Sequence, residues 1–374
     1  MAPALASARR PVHSWISSRY LMSVTRRAFI LKSGAVAAAA ALGNPTVSSA
    51  GATPGGLSRD PVRPKRLREG DIVALVSPSG VTYEPVRVEI MEEILAAIGL
   101  RTVRAPHLTD RWGYLAGSDR DRASDLNQMF ADSSVDGIFA LHGGWGAARL
   151  LPLIDFDAIR DTPKVFLGFS DITALLIALY ARSGLVTYHG PNGNSSWGPF
   201  TVDYLKRLLF DGEAVMMSNP SDPGEHLTQI EDRVRTISPG TARGRLVGGN
   251  LTVLTAIVGS EYLPDWTDHI LFLEDTNEDV YRVDRMLTQL KLAGVLDRIA
   301  GFVFGKCTSC DPDSGYSSFT LEEVLMDHIR PLGVPAWHGA MIGHIRDKFT
   351  VPLGIEAEID SERGTIQLLH SAVL

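Results

Sequence analysis

With 374 residues, 45% hydrophobic and 21% charged, the chain has the composition of a globular protein and not of a disordered one. Its formal charge of −7 conceals a split: residues 1–50 carry six basic groups and no acid, leaving 30 basic against 43 acidic groups in the other 324 residues, a net of −13. An acidic body argues against nucleic-acid binding, whose affinity comes from clustered Lys and Arg, and two cysteines are too few for a disulfide framework.

The first fifty residues read as an address. Thr25-Arg26-Arg27-Ala28-Phe29-Ile30-Leu31-Lys32 sets two arginines before an alanine-rich run, Ala35 to Leu42, that falls short of the about 20 apolar residues a bilayer span needs. Small residues follow, ending Val47-Ser48-Ser49-Ala50-Gly51-Ala52, as a cleavage region would. The segment resembles a twin-arginine-type export signal, which carries folded proteins across a bacterial inner membrane. Residues 1–50 are therefore expected to direct the protein to the periplasm, with 51–67 as a linker. No later stretch is long and apolar enough for a transmembrane helix, so stable membrane insertion of the mature chain is not expected.

From residue 70 onward short apolar runs alternate with amphipathic stretches, the signature of α/β architecture. Ile72–Val76 reads as a strand buried on both faces, Val86–Ile98 and Arg120–Phe130 as helices, and Gly137–Leu141 and Lys164–Leu167 as further strands. In Asp171–Tyr180, Ile172, Leu175, Leu176 and Leu179 recur at i, i+3, i+4 and i+7, which gives this helix one apolar face. Residues 212–243 break the pattern with Asn219-Pro220-Ser221-Asp222-Pro223-Gly224 and Ser238-Pro239-Gly240. This turn punctuation is expected to mark the passage between a first domain, 68–212, and a second, 244–374, with 213–243 as the linker. Beyond it Gly248-Gly249-Asn250 opens a helix. A strand at Ile270–Leu273, a helix near 279–292, a strand at Gly301–Phe304, a helix at Leu321–Ile329 and a β-rich tail follow.

In open parallel sheets ligands bind beyond the carboxyl ends of the strands. Three such ends are unusual: Ser77-Pro78-Ser79-Gly80, His142-Gly143-Gly144-Trp145-Gly146 and Gly168-Phe169-Ser170-Asp171. In the third, a strand runs into Ser170 and a helix begins at once. That would present the hydroxyl beside the backbone N–H groups of a helix N-terminus, as in a nucleophile elbow. Ile172 occupies the place of the second glycine of G-x-S-x-G, however, and a serine at a helix start can equally be a cap. Gly143-Gly144 reads either as a turn or as side-chain-free backbone that admits a substrate carbonyl; in the second case the N–H groups of Gly144 and Asp171 would form an oxyanion hole.

A serine nucleophile needs a base. His344, in Gly343-His344-Ile345-Arg346-Asp347-Lys348, is the candidate by position, with His338 as its rival. The strand Ile270–Leu273 ends in Glu274-Asp275. A carboxylate buried there must be paired, either with a histidine whose tautomer it fixes or structurally with Arg282 or Arg285. The strand-end and loop groups Trp145, His189, Asn192 and Trp197 are candidates for substrate contacts. Cys307-Thr308-Ser309-Cys310 lacks nearby partners for a zinc site; two buried free thiols are expected, with a small disulfide as the alternative in an oxidising compartment.

Together these segments resemble the LD-carboxypeptidases of serine-peptidase type, the group that includes the microcin C self-immunity peptidases. The resemblance runs over 68–374. It rests on Gly70 through Ser79, Asp119-Arg120 through Asp125-Leu126-Asn127, His142 through Leu151, Gly168 through Leu175, Leu273-Glu274-Asp275 with Tyr281 through Leu287, and Gly343-His344 with Asp347-Lys348. It implies a Ser170–Glu274–His344 triad. It also implies an N-terminal flavodoxin-like parallel-sheet domain that carries the nucleophile and a smaller C-terminal swivelling β/α domain that carries the other two, with the site in the cleft between them. The implied activity is hydrolysis of the L,D bond that releases terminal D-Ala from murein tetrapeptides, through an acyl-enzyme and without metal or other cofactor. Two rival readings remain: a hydrolase of peptidyl or aminoacyl nucleotides on the same fold, and an exported solute-binding protein without catalysis. The expected partner is a murein peptide; a homodimer is left open.

Overall fold

A computed structural model describes residues 61–310 and 318–374; the leader expected at 1–50 and residues 51–60 of the linker lie outside them. Five strands open the described chain: β1 (Ile72–Val76), β2 (Arg101–Arg104), β3 (Gly137–Ala140), β4 (Val165–Gly168) and β5 (Thr187–His189). All are parallel and lie in the order β2-β1-β3-β4-β5, with the helices Val86–Ala97, Asp119–Ala131, Phe156–Asp161 and Thr173–Ser183 in the crossovers. This is the flavodoxin-like order, whose ligand crevice lies beyond the carboxyl ends where the strand order reverses. β3 and β4 are buried throughout and β1 in all but its first residue. That explains why they read as unbroken apolar runs instead of alternating ones.

The second half contributes β6 (Met216–Ser218), β7 (Arg235–Ser238), β8 (Thr241–Asn250), β9 (His269–Thr276), β10 (Gly301–Thr308), β11 (Ala336–His338), β12 (Val351–Leu353), β13 (Glu356–Asp360) and β14 (Thr365–Leu368). All but β12 form an eight-stranded sheet in the order β6-β14-β13-β8-β9-β10-β11-β7, with a parallel centre from β8 to β11. The α/β architecture expected from the sequence is thus present as two sheets. The stretch 212–243, read as a passage, supplies β6 and β7, the two edges of the second sheet. Strands of three and four residues are too short to show a period. β12 leaves the second sheet and pairs antiparallel with β5, Val351 opposite His189. It forms an edge, where its Pro352 is tolerated.

Two glycines of β8 admit close neighbours: a Cβ on Gly248 (φ 150°) would fall 1.7 Å from the carbonyl oxygen of Phe272 on the adjacent β9, and one on Gly249 (φ 140°) 2.6 Å from Thr173 Oγ1 of the first half. Without side chains there, β8 runs directly against the helix that begins at Thr173, and the Asn250 N–H donates to Thr173 Oγ1 at 3.0 Å. Asn250 then caps the helix Leu251–Ala256, its Oδ1 accepting from the Val253 N–H at 3.1 Å.

Cys307 and Cys310, expected as buried free thiols, form a disulfide. β10 ends at Thr308, and Ser309 takes a left-handed conformation (φ 58°) that folds the chain back. The two Cα atoms come to 5.4 Å, inside the range a disulfide spans. Among the described residues no helix is long and apolar enough to cross a membrane.

Candidate active site

β4 ends at Gly168, Phe169 is extended, and Ser170 adopts φ 65°, a left-handed conformation unusual for a residue with a Cβ. Helical backbone begins at once with Ser170–Ile172 and continues as Thr173–Ser183. The turn is a sharp elbow with a strained serine at its apex. The first glycine of G-x-S-x-G, Gly168, and Gly143 of the neighbouring strand-end loop make the room. A Cβ on Gly168 would lie 2.9 Å from Ile172 Cγ2, so Ile172 packs back over that position; a Cβ on Gly143 would lie 2.9 Å from Ser170 Cβ.

His344 faces this serine from the second half of the chain. Its Nε2 lies 3.0 Å from Ser170 Oγ, and its Nδ1 lies 2.8 Å from Glu274 Oε2. Glu274, at the carboxyl end of the all-parallel centre of the second sheet, is 0% exposed. Gly343 (φ 133°) lets the histidine loop close over it, since a Cβ there would be 3.1 Å from Glu274 Oε2. The other oxygen, Oε1, accepts from Asn250 Nδ2 at 3.2 Å. Burial alone would raise the Glu274 carboxyl. The hydrogen bond and charge of His344, with help from His189 and Asn250, outweigh it and hold the pKa below the ordinary value.

Asp275, the next residue, shares Asn250 Nδ2 with Glu274 and otherwise has its own partners. It accepts from the Thr252 N–H and hydroxyl, from Asn250 Nδ2 and from the Thr276 N–H, each at 2.9 Å. Burial, reinforced by the charge of Glu274, pushes it up to about 6. Arg282 pairs instead with Glu278 and Asp279, and Arg285 lies over the Tyr281 ring. His338, the rival base, lies in β11 and does not line the cleft.

The cleft above the serine has a volume of about 410 Å³ and is walled by the His142-Gly143-Gly144 loop, the loop from Asn192 to Ser196, and the segment from His344 to Lys348. Gly143 lies against Ser170, whereas a Cβ on Gly144 (φ 107°) would meet Gly80 Cα at 3.3 Å. The Asp171 side chain ties the strand-end loops together: it accepts from the Ala147 N–H at 2.8 Å and from the Ser79 hydroxyl. Arg122, buried beside it, donates to the carbonyls of Pro78 (2.6 Å) and Gly146 (3.2 Å). Burial raises the Asp171 pKa against those hydrogen bonds.

The four proposed substrate contacts separate in the structure. Asn192 lines the cleft; Trp197 braces that loop, its Nε1 donating to the Asn192 carbonyl at 3.0 Å. Trp145, 55% exposed, lines a neighbouring depression with Tyr83 and Tyr114 that shares His142 and Gly144 with the cleft. His189 is 1% exposed and packs between Phe169 and Phe272, so it lies beneath the cleft and not in its wall. Lys348, which was not among the candidate site residues, lines the cleft although only 3% of it is exposed. Burial, opposed by the Glu274 charge, lowers its ammonium to about 8. Among the described residues the one group of three side chains within metal-ligating distance is His107, Asp110 and Asp121, outside the cleft.

Comparison with known proteins now bears on this geometry. The family described as LD-carboxypeptidase N-terminal domain matches residues 73–190, and the LD-carboxypeptidase C-terminal domain matches 243–359. The chain belongs to the LD-carboxypeptidase family. It is 36% identical over 308 residues to the "Probable murein peptide carboxypeptidase" of Bacillus subtilis, covering 81% of this chain and 93% of that one. It is 30% identical over 276 residues to the microcin C7 self-immunity protein of Escherichia coli, covering 68% and 80%. The crystal structure of a muramoyltetrapeptide carboxypeptidase from Oxalobacter formigenes superposes with a TM-score of 0.68 at 27% identity, covering 79% and 97%. Ser170 falls in the N-terminal match of this LD-carboxypeptidase, and Glu274 and His344 in the C-terminal one.

The buried His189 gives this LD-carboxypeptidase an acid-labile element. Burial, aided by the charges of Lys348 and His344 against that of Glu274, lowers it from 6.5 to about 4. Among the described residues neither ring nitrogen has a hydrogen-bond partner. The unfolded chain takes up this proton below pH 6.5 and the folded chain only near 4, so the contribution is complete above 6.5 and lost as pH falls through that window. A shift of that size amounts to about 3 kcal/mol. Denaturant unfolding of His189→Leu should show a flatter loss of stability between pH 6.5 and 4 than the wild type. Parallel profiles would refute the assignment.

Proposed function

We propose that this LD-carboxypeptidase is a serine peptidase that releases terminal D-Ala from murein tetrapeptides through an acyl-enzyme on Ser170. The observation that carries the reading is the unbroken hydrogen-bonded series from Ser170 Oγ through His344 to Glu274, at 3.0 and 2.8 Å. Ser170 Oγ attacks the carbonyl of the diamino acid while His344 Nε2 takes its proton. Glu274 holds the Nδ1–H tautomer and stabilises the imidazolium. The N–H groups of Gly144 and Asp171 receive the developing oxyanion. His344 returns the proton to the departing D-Ala nitrogen, and water, deprotonated in turn by His344, hydrolyses the ester. We assign the work to the periplasm, where murein lies. The Arg26-Arg27 leader supports that place, as does a Cys307–Cys310 disulfide, a bond that persists in oxidising compartments.

A second reading, cleavage of peptidyl or aminoacyl nucleotides, is favoured by the self-immunity relative, one of whose solved structures is a complex with aspartyl sulfamoyl adenosine. Mass spectrometry of murein tetrapeptide after incubation with the mature protein separates the two. Loss of a single alanine is the expected result. An intact tetrapeptide together with cleavage of an acyl-sulfamoyl adenylate would transfer the assignment to the second reading.

A further inference from the structure

A lysine in the cleft wall is largely buried without a hydrogen-bonded counter-charge. Lys348 is 3% exposed, and among the described residues its Nζ makes no hydrogen bond and no ion pair. Its Nζ rests on the face of the Phe169 ring, 4.0 Å from the centroid, and feels the charge of Glu274 without pairing with it. The other buried lysine, Lys164, shows the usual arrangement: its Nζ donates to the carbonyls of Met129, at 2.8 Å, and Asp132. An ammonium carries three donors, and burying one without an anion is costly. Structure holds it there all the same. Its N–H donates to Thr201 Oγ1 at 3.1 Å, and three residues later the chain is pinned into the first sheet as β12.

We propose that the Lys348 ammonium binds the free α-carboxylate of the residue that is cleaved off, and so restricts this LD-carboxypeptidase to the last residue of its substrate. The inference rests on the reading of His344 as the proton donor to the leaving nitrogen. That nitrogen must then lie beside the imidazole, and the leaving residue's carboxylate carbon is two bonds further, about 2.5 Å. The anion therefore falls within a few ångströms of His344, on the side of the cleft built by the same segment. Lys348 is there: its Nζ and the His344 ring both rest on Phe169, the ring centroids of the latter pair 4.9 Å apart. Arg346, the other cation of that wall, has an 81% exposed side chain and is already paired with Asp347 at 2.7 Å. Glu274 has both oxygens engaged, by His344 and Asn250. Lys348 is thus the cation with donors to give, and the lowering of its pKa to about 8 by burial is what a carboxylate partner would reverse.

The test compares murein tetrapeptide ending in free D-Ala with the same peptide ending in D-alaninamide. The wild type should prefer the acid by about 100-fold in kcat/KM, the range of a charge-assisted pair in a desolvated site. In Lys348→Met the acid-to-amide ratio should collapse to within about threefold, and Lys348→Arg should restore part of it. The ratio, not the absolute rate, is the readout, because a merely structural lysine would lower both substrates alike and leave the preference intact. That result would overturn the proposal, as would a wild type indifferent to the amide. Calorimetric binding of both peptides to Ser170→Ala, with and without Lys348→Met, separates this from the reaction itself. Acid-selective binding without D-Ala release would sink the hydrolytic reading alone, and D-Ala release without acid selectivity would sink the lysine anchor alone.

Discussion

Ser170→Ala should lower D-Ala release by about 10⁵-fold while the protein keeps its fold, since members of a Ser–His–carboxylate unit fail together. The structural ground is that, among the described residues, the hydroxyl has a single partner, His344 Nε2 at 3.0 Å, and caps no helix N–H. Its removal therefore costs the reaction and little else. Ser170→Gly sharpens the prediction. The residue sits at φ 65°, where a Cβ costs about 1 kcal/mol that glycine does not incur. The glycine variant should be equally dead and melt at or above the wild-type temperature. Under the proposed function, a serine held in a strained elbow is a place where stability has been given up for activity. Turnover above about 1% of wild type in the alanine variant, far beyond what an oxyanion hole alone leaves behind, would remove Ser170 from the reaction. A melting temperature several degrees lower in the glycine variant would show that the elbow is not strained.

What was legible in the sequence follows from range. β1, β3 and β4 are buried on both faces and so announce themselves as apolar runs, and the absence of any loop between β4 and its helix marks Ser170. Glu274 could be singled out because an acid at the end of such a strand is anomalous, whereas its partner followed from the family resemblance alone. His344 and Arg282 stand on different elements, and only the crossing of β9 with the Gly343 loop chooses between them. Features set by distant chain were hidden. β12 owes its place to β5, over 160 residues earlier in the chain, and three residues carry no period. His189 looked like a cleft residue because it ends a strand; Phe169, Phe272 and β12 bury it. Nothing in Asp347-Lys348 marks the lysine as buried, since desolvation is a property of neighbours and leaves no mark on local composition.

The carboxylate can be tested by an almost isosteric change. Glu274→Gln should lower kcat by about 10³- to 10⁴-fold with little change in KM, the scale seen when a triad acid becomes an amide. Asn250 makes the outcome sharper than shape alone would. Its Oδ1 is committed to the Val253 N–H, so its Nδ2 must face Glu274 and Asp275 as a donor. A glutamine at 274 will then turn its carbonyl oxygen toward Asn250 and its NH₂ toward His344 Nδ1. The imidazole is left with its proton on Nε2, the nitrogen that has to accept one from Ser170. The same change should be felt at Asp275, whose pKa of about 6 owes its second-largest part to the Glu274 charge. A carboxyl raised in the folded state favours folding most at low pH, and that benefit is lost as pH rises from its unfolded value of 3.8 to about 6. Without Glu274's charge this window narrows, so unfolding free energies of the variant should fall less steeply between pH 4 and 6 than those of the wild type. A variant with kcat within about tenfold of wild type would mean that His344 needs no carboxylate to set its tautomer, and the triad would reduce to a serine and a histidine.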